Sequence, residues 1–227
     1  MKKDCYSIRW HVLSLLFLLL GASCGDDDYH YPDISQDYLT AQSGADGRLE
    51  TVTDDDGVTL PVLNSVSAPN QVADTTLRIV ANYAREEAAD GSLGARLYAA
   101  QLAVSPVPLP AESFEEGVKN DPASVLSIWL GLDYLNVVLE IKTGGGSHAF
   151  HFVEDRVEDL DGGTRREVDV TLYHDAADDP QYYTRRAYLS VPLWPYVADG
   201  VETLGIRFNL CNYDGETETY GFDYRVR

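Results

Sequence analysis

Five histidines, three cysteines, a run of aspartates and many serines are the side chains here that could do chemistry. His148 and His151 stand three apart in a segment of alternating polarity. On a strand such a pair points to opposite faces, so it cannot clamp one metal as an i, i+4 pair on a helix does. His174 ends an expected strand close to Asp175, Asp178 and Asp179, where zinc is conceivable, although a surface histidine beside a turn needs no metal. Asp54-Asp55-Asp56-Gly57 resembles the opening of a calcium loop but lacks the alternate-ligand spacing and the glutamate at the twelfth position. Glu154–Asp161 and Asp175–Asp179 could hold calcium weakly, although solvated turn carboxylates are the plainer reading. There is no Gly-x-Ser-x-Gly elbow to activate a serine. Gly144-Gly145-Gly146 joins two expected strands, which makes it a hairpin loop and not a phosphate cradle. The expectation is a protein with no catalytic residues, no metal and no cofactor.

The elements that carry these residues are short. Asp+Glu outnumber Lys+Arg by 37 to 17, a formal net charge of -20, which repels phosphate backbones and excludes nucleic acid as a partner. Aromatics reach 11%, with 15 Tyr, a composition that leans toward strands. Asp-Gly pairs, suited to tight hairpin turns, recur at 46–47, 56–57, 90–91, 161–162, 199–200 and 214–215. Between them the chain alternates in polarity, and no convincing helix is found.

Residues 37–107 contain five candidate strands, as expected for a small OB-like barrel. The proline-rich Ser105–Glu116 breaks the pattern, and 108–121 reads as a linker. Residues 122–227 contain seven more strands, as expected for an antiparallel β-sandwich. The fold class is therefore all-β, a barrel followed by a sandwich. In the second block Leu135, Val137, Leu139 and Ile141 share one face, and Tyr134, Asn136, Glu140 and Lys142 the other, where Val138 is the apolar exception.

Four tyrosines, Tyr134, Tyr173, Tyr182 and Tyr188, fall on the polar phase of their strands together with Arg186. Grouped on an outer sheet face they would suit a sugar ring or a protein partner; the plainer expectation is cross-strand pairing that stabilises the sheet. Arg165-Arg166 and Arg185-Arg186 are the basic doublets that could meet an acidic partner, although such pairs more often offset local negative charge on a sheet's outer face.

The N-terminus is an address. Lys2, Lys3 and Arg9 precede an apolar run, His11–Leu20, half the length needed to span a bilayer. Gly21-Ala22-Ser23 then lead to Cys24 in a pattern that resembles a lipobox, with Gly21 where leucine is usual. Residues 1–23 are thus expected to be removed and Cys24 to become the lipid-bearing terminus. Asp26, Asp27 and Asp28 follow at the position of a surface-export signal, and 24–36 forms an acidic tether. Cleavage leaves 14 basic and 36 acidic residues, with Cys211 as the free cysteine.

Read together, the lipoprotein signal, the acidic tether, Asp55-Asp56-Gly57 and the run Trp129-x-Gly131-x-x-Tyr134-Leu135-Asn136 resemble the NigD-like lipoproteins of Bacteroidetes. The strand His148–Val153 and the segment 188–193 suit the same family. The resemblance implies an OB-like domain, a β-sandwich and a role in a bacteriocin locus, with no catalytic residues to transfer. The expected function is a non-catalytic, lipid-anchored protein of the outer membrane, exposed at the cell surface. It would engage an unknown protein or glycan, either as an immunity-like module or as an accessory glycan-binding lipoprotein.

Overall fold

In all six Asp-Gly pairs the glycine takes a positive φ, from 72° at Gly47 to 92° at Gly200, and each sits where the chain turns. The computed structural model describes residues 32–226. The expected signal peptide, Cys24 and Asp26, Asp27 and Asp28 lie outside the described residues. Among the described residues there is no α-helix, only strands and single 3₁₀ turns; hence no helix is long and apolar enough to cross a membrane.

The first five strands are β1 (Ser35–Ser43), β2 (Leu49–Thr53), β3 (Thr59–Pro61), β4 (Thr76–Glu87) and β5 (Leu93–Leu102). They form one sheet in the order β3-β2-β1-β4-β5. The sheet curls until its two edges meet: Val62 bridges Ala95 in parallel, and the Leu63 N–H donates to the Ala95 carbonyl at 2.9 Å. A bulge in the β4–β5 pairing beside Asn82 and Tyr83 adds the local twist that such curling needs. Leu39, Ala41, Val52, Ile79, Ala81 and Leu97 fill the inside.

Residues 103–226 carry β6 (Leu109–Pro110), β7 (Ser124–Leu130), β8 (Tyr134–Thr143), β9 (Ala149–Leu160), β10 (Arg165–Asp175), β11 (Tyr183–Pro192), β12 (Thr203–Cys211) and β13 (Thr217–Arg225). One sheet runs β13-β12-β10-β9-β6, the other β11-β8-β7. After β10 the chain crosses to the second sheet as β11 and returns as β12, so β10 and β12 are parallel in an otherwise mostly antiparallel sandwich. Leu135, Val137, Leu139 and Ile141 all point inward, against Phe152, Val170, Ile206 and Phe208. The fold is all-β, a half-barrel beside a sandwich.

The second face of the β11-β8-β7 sheet corrects the reading of an outer polar surface. Asn136 on this face is fully buried. Strands β1 and β4 of the barrel lie across it, and Tyr38, Val80 and Ala103 pack against Trp129, Val138 and Tyr188. Val138, the apolar exception in its strand, is thereby explained. The Tyr38 hydroxyl donates to the Val137 carbonyl at 2.9 Å, and Val104 is hydrogen-bonded to Tyr188 and Ser190. The barrel, the three-stranded sheet and the five-stranded sheet thus stack as successive layers.

Candidate functional site

Arg78 stands at the centre of the junction between barrel and sandwich. It sits on β4 among apolar neighbours, and its side chain is 1% exposed. Its Nη2 donates to Asp55 Oδ1 at 2.5 Å and to Asn136 Oδ1 at 2.9 Å. Nη1 donates to Thr40 Oγ1 at 3.1 Å and Nε to Ser190 Oγ at 3.2 Å. The guanidinium lies 4.3 Å from the centre of the Tyr134 ring, a cation–π contact, with Tyr38 at 5.5 Å.

Asp55 is the counter-charge. Its Oδ2 accepts from Asn136 Nδ2 at 2.7 Å and from Trp129 Nε1 at 3.3 Å, so one carboxylate oxygen is held by Arg78 of the barrel and the other by the sandwich. A side chain at Gly131 would place its Cβ 2.5 Å from Asp55 Oδ1. The backbone of Gly131 is not left-handed, so the close approach of Asp55 is what demands glycine here. Asp54 holds the turn from below: its Oδ1 accepts from the backbone of Asp56 and Val58, and its Oδ2 pairs with Arg85. The Asp54 and Asp55 carboxylates are therefore engaged with Arg85, Arg78 and their own turn.

Beside this network a cleft of about 540 Å³ opens between barrel and sandwich. Trp194, 57% exposed, stands on its wall with Tyr134, and the hydroxyls of Thr40, Thr53 and Ser105 line it. The Asp133 carboxylate also lines the cleft, held by the Tyr224 hydroxyl at 3.0 Å.

The histidines occupy a separate place. His148 Nδ1 lies 2.8 Å from His174 Nε2, His148 Nε2 lies 3.2 Å from Asp179 Oδ2, and His174 Nδ1 lies 2.8 Å from the Asp121 carbonyl. A carbonyl only accepts, so His174 donates through Nδ1 and offers Nε2 as acceptor. His148 then donates through Nδ1 to His174, and its Nε2 faces the Asp179 carboxylate. Hydrogen bonds from the Thr143 hydroxyl, and then from Gly144 and His148, hold the Asp179 carboxyl down at about 2. Burial lowers the His174 pKa. His174 is 1% exposed, which corrects the reading of a surface histidine. His151 faces elsewhere, edge-on to Phe114. Among the described residues no group of three His, Cys, Asp or Glu is placed to hold a metal ion.

A family model, the NigD-like C-terminal beta sandwich domain, matches residues 105–224. The crystal structure of a NigD-like immunity protein from Bacteroides caccae is 34% identical in sequence and superposes with a TM-score of 0.70, covering 88% of this chain and 100% of that one. The chain belongs to the NigD-like family. A Bacteroides vulgatus protein of unknown function, 18% identical with a TM-score of 0.63 over 85% of this chain and 92% of that one, shares the fold. No curated protein matches the chain.

The motif residues that resemble the NigD-like family, Asp55, Trp129, Gly131, Tyr134 and Asn136, are thus one physical object, a polar latch closed on Arg78. Arg78 itself escapes sequence reading because a lone arginine on a strand's second face reads as solvated. Trp194 escapes it too, lying outside the strand alternation. The five residues expected as a platform are not brought together. Tyr134 and Tyr188 lie on the face covered by the barrel, where Tyr188 meets Tyr38 edge-on at 6.2 Å. Tyr173 is on the other sheet, stacked on Phe114 at 4.8 Å. Tyr182 is 80% exposed just before β11, and Arg186 lies in the exposed first half of that strand.

Proposed function

We propose that this chain is a non-catalytic lipoprotein, anchored through Cys24 and carried to the cell surface by Asp26, Asp27 and Asp28, that acts by binding in the manner of an immunity protein. The observation that carries this reading is the 34% identity, over the full length of that chain, with a protein named as NigD-like immunity protein. The chemistry of the described residues supports it. Arg78 is engaged by Asp55, and His148 and His174 by each other, Asp179 and a carbonyl.

The test is a strain lacking the gene, challenged with culture fluid of its parent. It should become sensitive, be rescued by the wild-type gene, and not be rescued by Cys24→Ala. A deletion strain as resistant as its parent would overturn the immunity role. A second reading, glycan binding, is favoured by one feature, the cleft with exposed Trp194 facing hydroxyls and Asp133. Quenching of Trp194 fluorescence by a neutral oligosaccharide, abolished by Asp133→Ala, would support it; an unchanged spectrum would remove it.

A further inference from the structure

The two basic doublets end in opposite circumstances. Arg165 pairs with Glu167 at 2.6 Å and Asp223 at 2.7 Å, and Arg166 with Asp159 at 2.6 Å. Among the described residues, every other arginine except Arg225 also has an ion-pair partner. Arg185 and Arg186 have neither an ion pair nor a hydrogen bond from their side chains, in a chain of net charge -20. Both are exposed.

They stand on a sheet edge whose backbone is open. Strand β11 pairs with β8 on one side only. On its other side Val104 donates to the Tyr188 carbonyl and accepts from the Ser190 N–H, both at 2.9 Å. Backbone groups of successive strand residues alternate between the two sides. The pairing with β8 runs unbroken from Tyr183 to Pro192, so Thr184 and Arg186 also point N–H and C=O away from β8. Among the described residues no strand takes these groups. Tyr182 and Tyr183, 80% and 53% exposed, flank them.

We propose that the Thr184–Arg186 edge is a docking strand for an extended acidic segment of a partner protein, added alongside β11 with two consecutive carboxylates. Added strands draw affinity from main-chain hydrogen bonds and selectivity from alternate side chains. Arg185 and Arg186 lie on opposite faces of the sheet, so two adjacent acidic residues, one on each face, match them. The rest of the acidic surface repels such a segment and leaves this doublet as its landing place. A second copy of this chain does not fit, because antiparallel self-pairing sets the doublets against each other. This deepens the binding reading above and rests on it. The competing role for edge arginines is to discourage strand addition altogether, and the experiment separates the two.

The probe is a fluorescein-labelled peptide of alternating Thr and Val around a central Asp-Glu pair, with a Lys-Lys version as control, titrated into the mature chain and read by anisotropy. The acidic peptide should bind and the basic one should not. The double variant R185E/R186E should weaken the acidic peptide by roughly tenfold or more and accept the basic one. Thr184→Pro keeps both arginines and removes only an outward N–H, which β8 does not use; it should fold normally and still lose binding. No binding to the wild type, or binding unmoved by either variant, overturns the proposal. The immunity assay is read separately. A R185E/R186E protein that loses the peptide yet protects cells fully would sink the docking strand and leave the immunity role standing.

Discussion

Replacing Arg78 with methionine removes the hub of the latch while keeping a long, unbranched side chain that can stay packed. The change deletes four hydrogen bonds to Asp55, Asn136, Thr40 and Ser190, and the cation over Tyr134. Asp55 keeps its donors from Asn136 and Trp129 but loses its counter-charge. Removing one partner of a buried ion pair costs about 3–5 kcal/mol. Asp55 is 23% exposed and some water reaches it, which favours the lower end of that range. For a chain of this size each kcal/mol moves Tm by about 2–4 °C, so a fall of roughly 6–12 °C is expected. Urea unfolding in a Trp194→Phe background lets Trp129, whose indole N–H points at Asp55, report the junction directly. A Tm within about 2 °C of the parent, with unchanged Trp129 emission, would refute the reasoning.

Gly131→Ala should cost roughly 1–3 kcal/mol, since its Cβ meets Asp55 at 2.5 Å and something must shift; a melting curve superposable on wild type would count against it. Tyr188→Ser should lower stability by about 2 kcal/mol, because Tyr188 packs on Tyr38, whereas Tyr182→Ser, at 80% exposure, should change it by less than about 0.5 kcal/mol. On acidification two groups remove stability. His174, held below its ordinary value by burial, favours folding fully above about pH 6.5 and less as pH falls. Asp179, held at about 2, favours folding fully above about pH 4, and that contribution drains as pH falls toward 2. Urea midpoints at pH 7, 5 and 3 should decline, and Asp179→Asn should flatten only the most acidic part; equal midpoints would contradict both assignments.

The strands were legible because their causes are local. Alternation in β8 and the Asp-Gly turns depend on neighbours in sequence, and the structure places strands at each of the expected positions. The two-residue β6 carries no period to read and shows itself only through its pairing with β9. The second face of β8 was illegible for a different reason. Asn136 has the polarity of a solvated residue, and nothing beside it in sequence reveals that Arg78, 58 positions away, supplies its solvent. The same holds for His174, whose burial depends on His148 and Asp121. The motif residues resembled a family without disclosing their task, because that task is a contact between two separately patterned halves of the chain.

The central claim is that these motif residues hold barrel and sandwich together through Arg78. Glu116 and Gly117 lie in an exposed stretch, and a side chain at Gly117 would meet nothing within 4 Å. A specific protease site inserted between them allows the chain to be cut without touching the junction. After cleavage the two halves should elute together in gel filtration and separate only in denaturant, while the same cut in the Arg78→Met protein should let them part at a clearly lower denaturant concentration, with β6 still paired to β9 and Val104 to β11. Wild-type halves that part without denaturant, or Arg78→Met halves that stay joined as firmly as wild type, would contradict the latch.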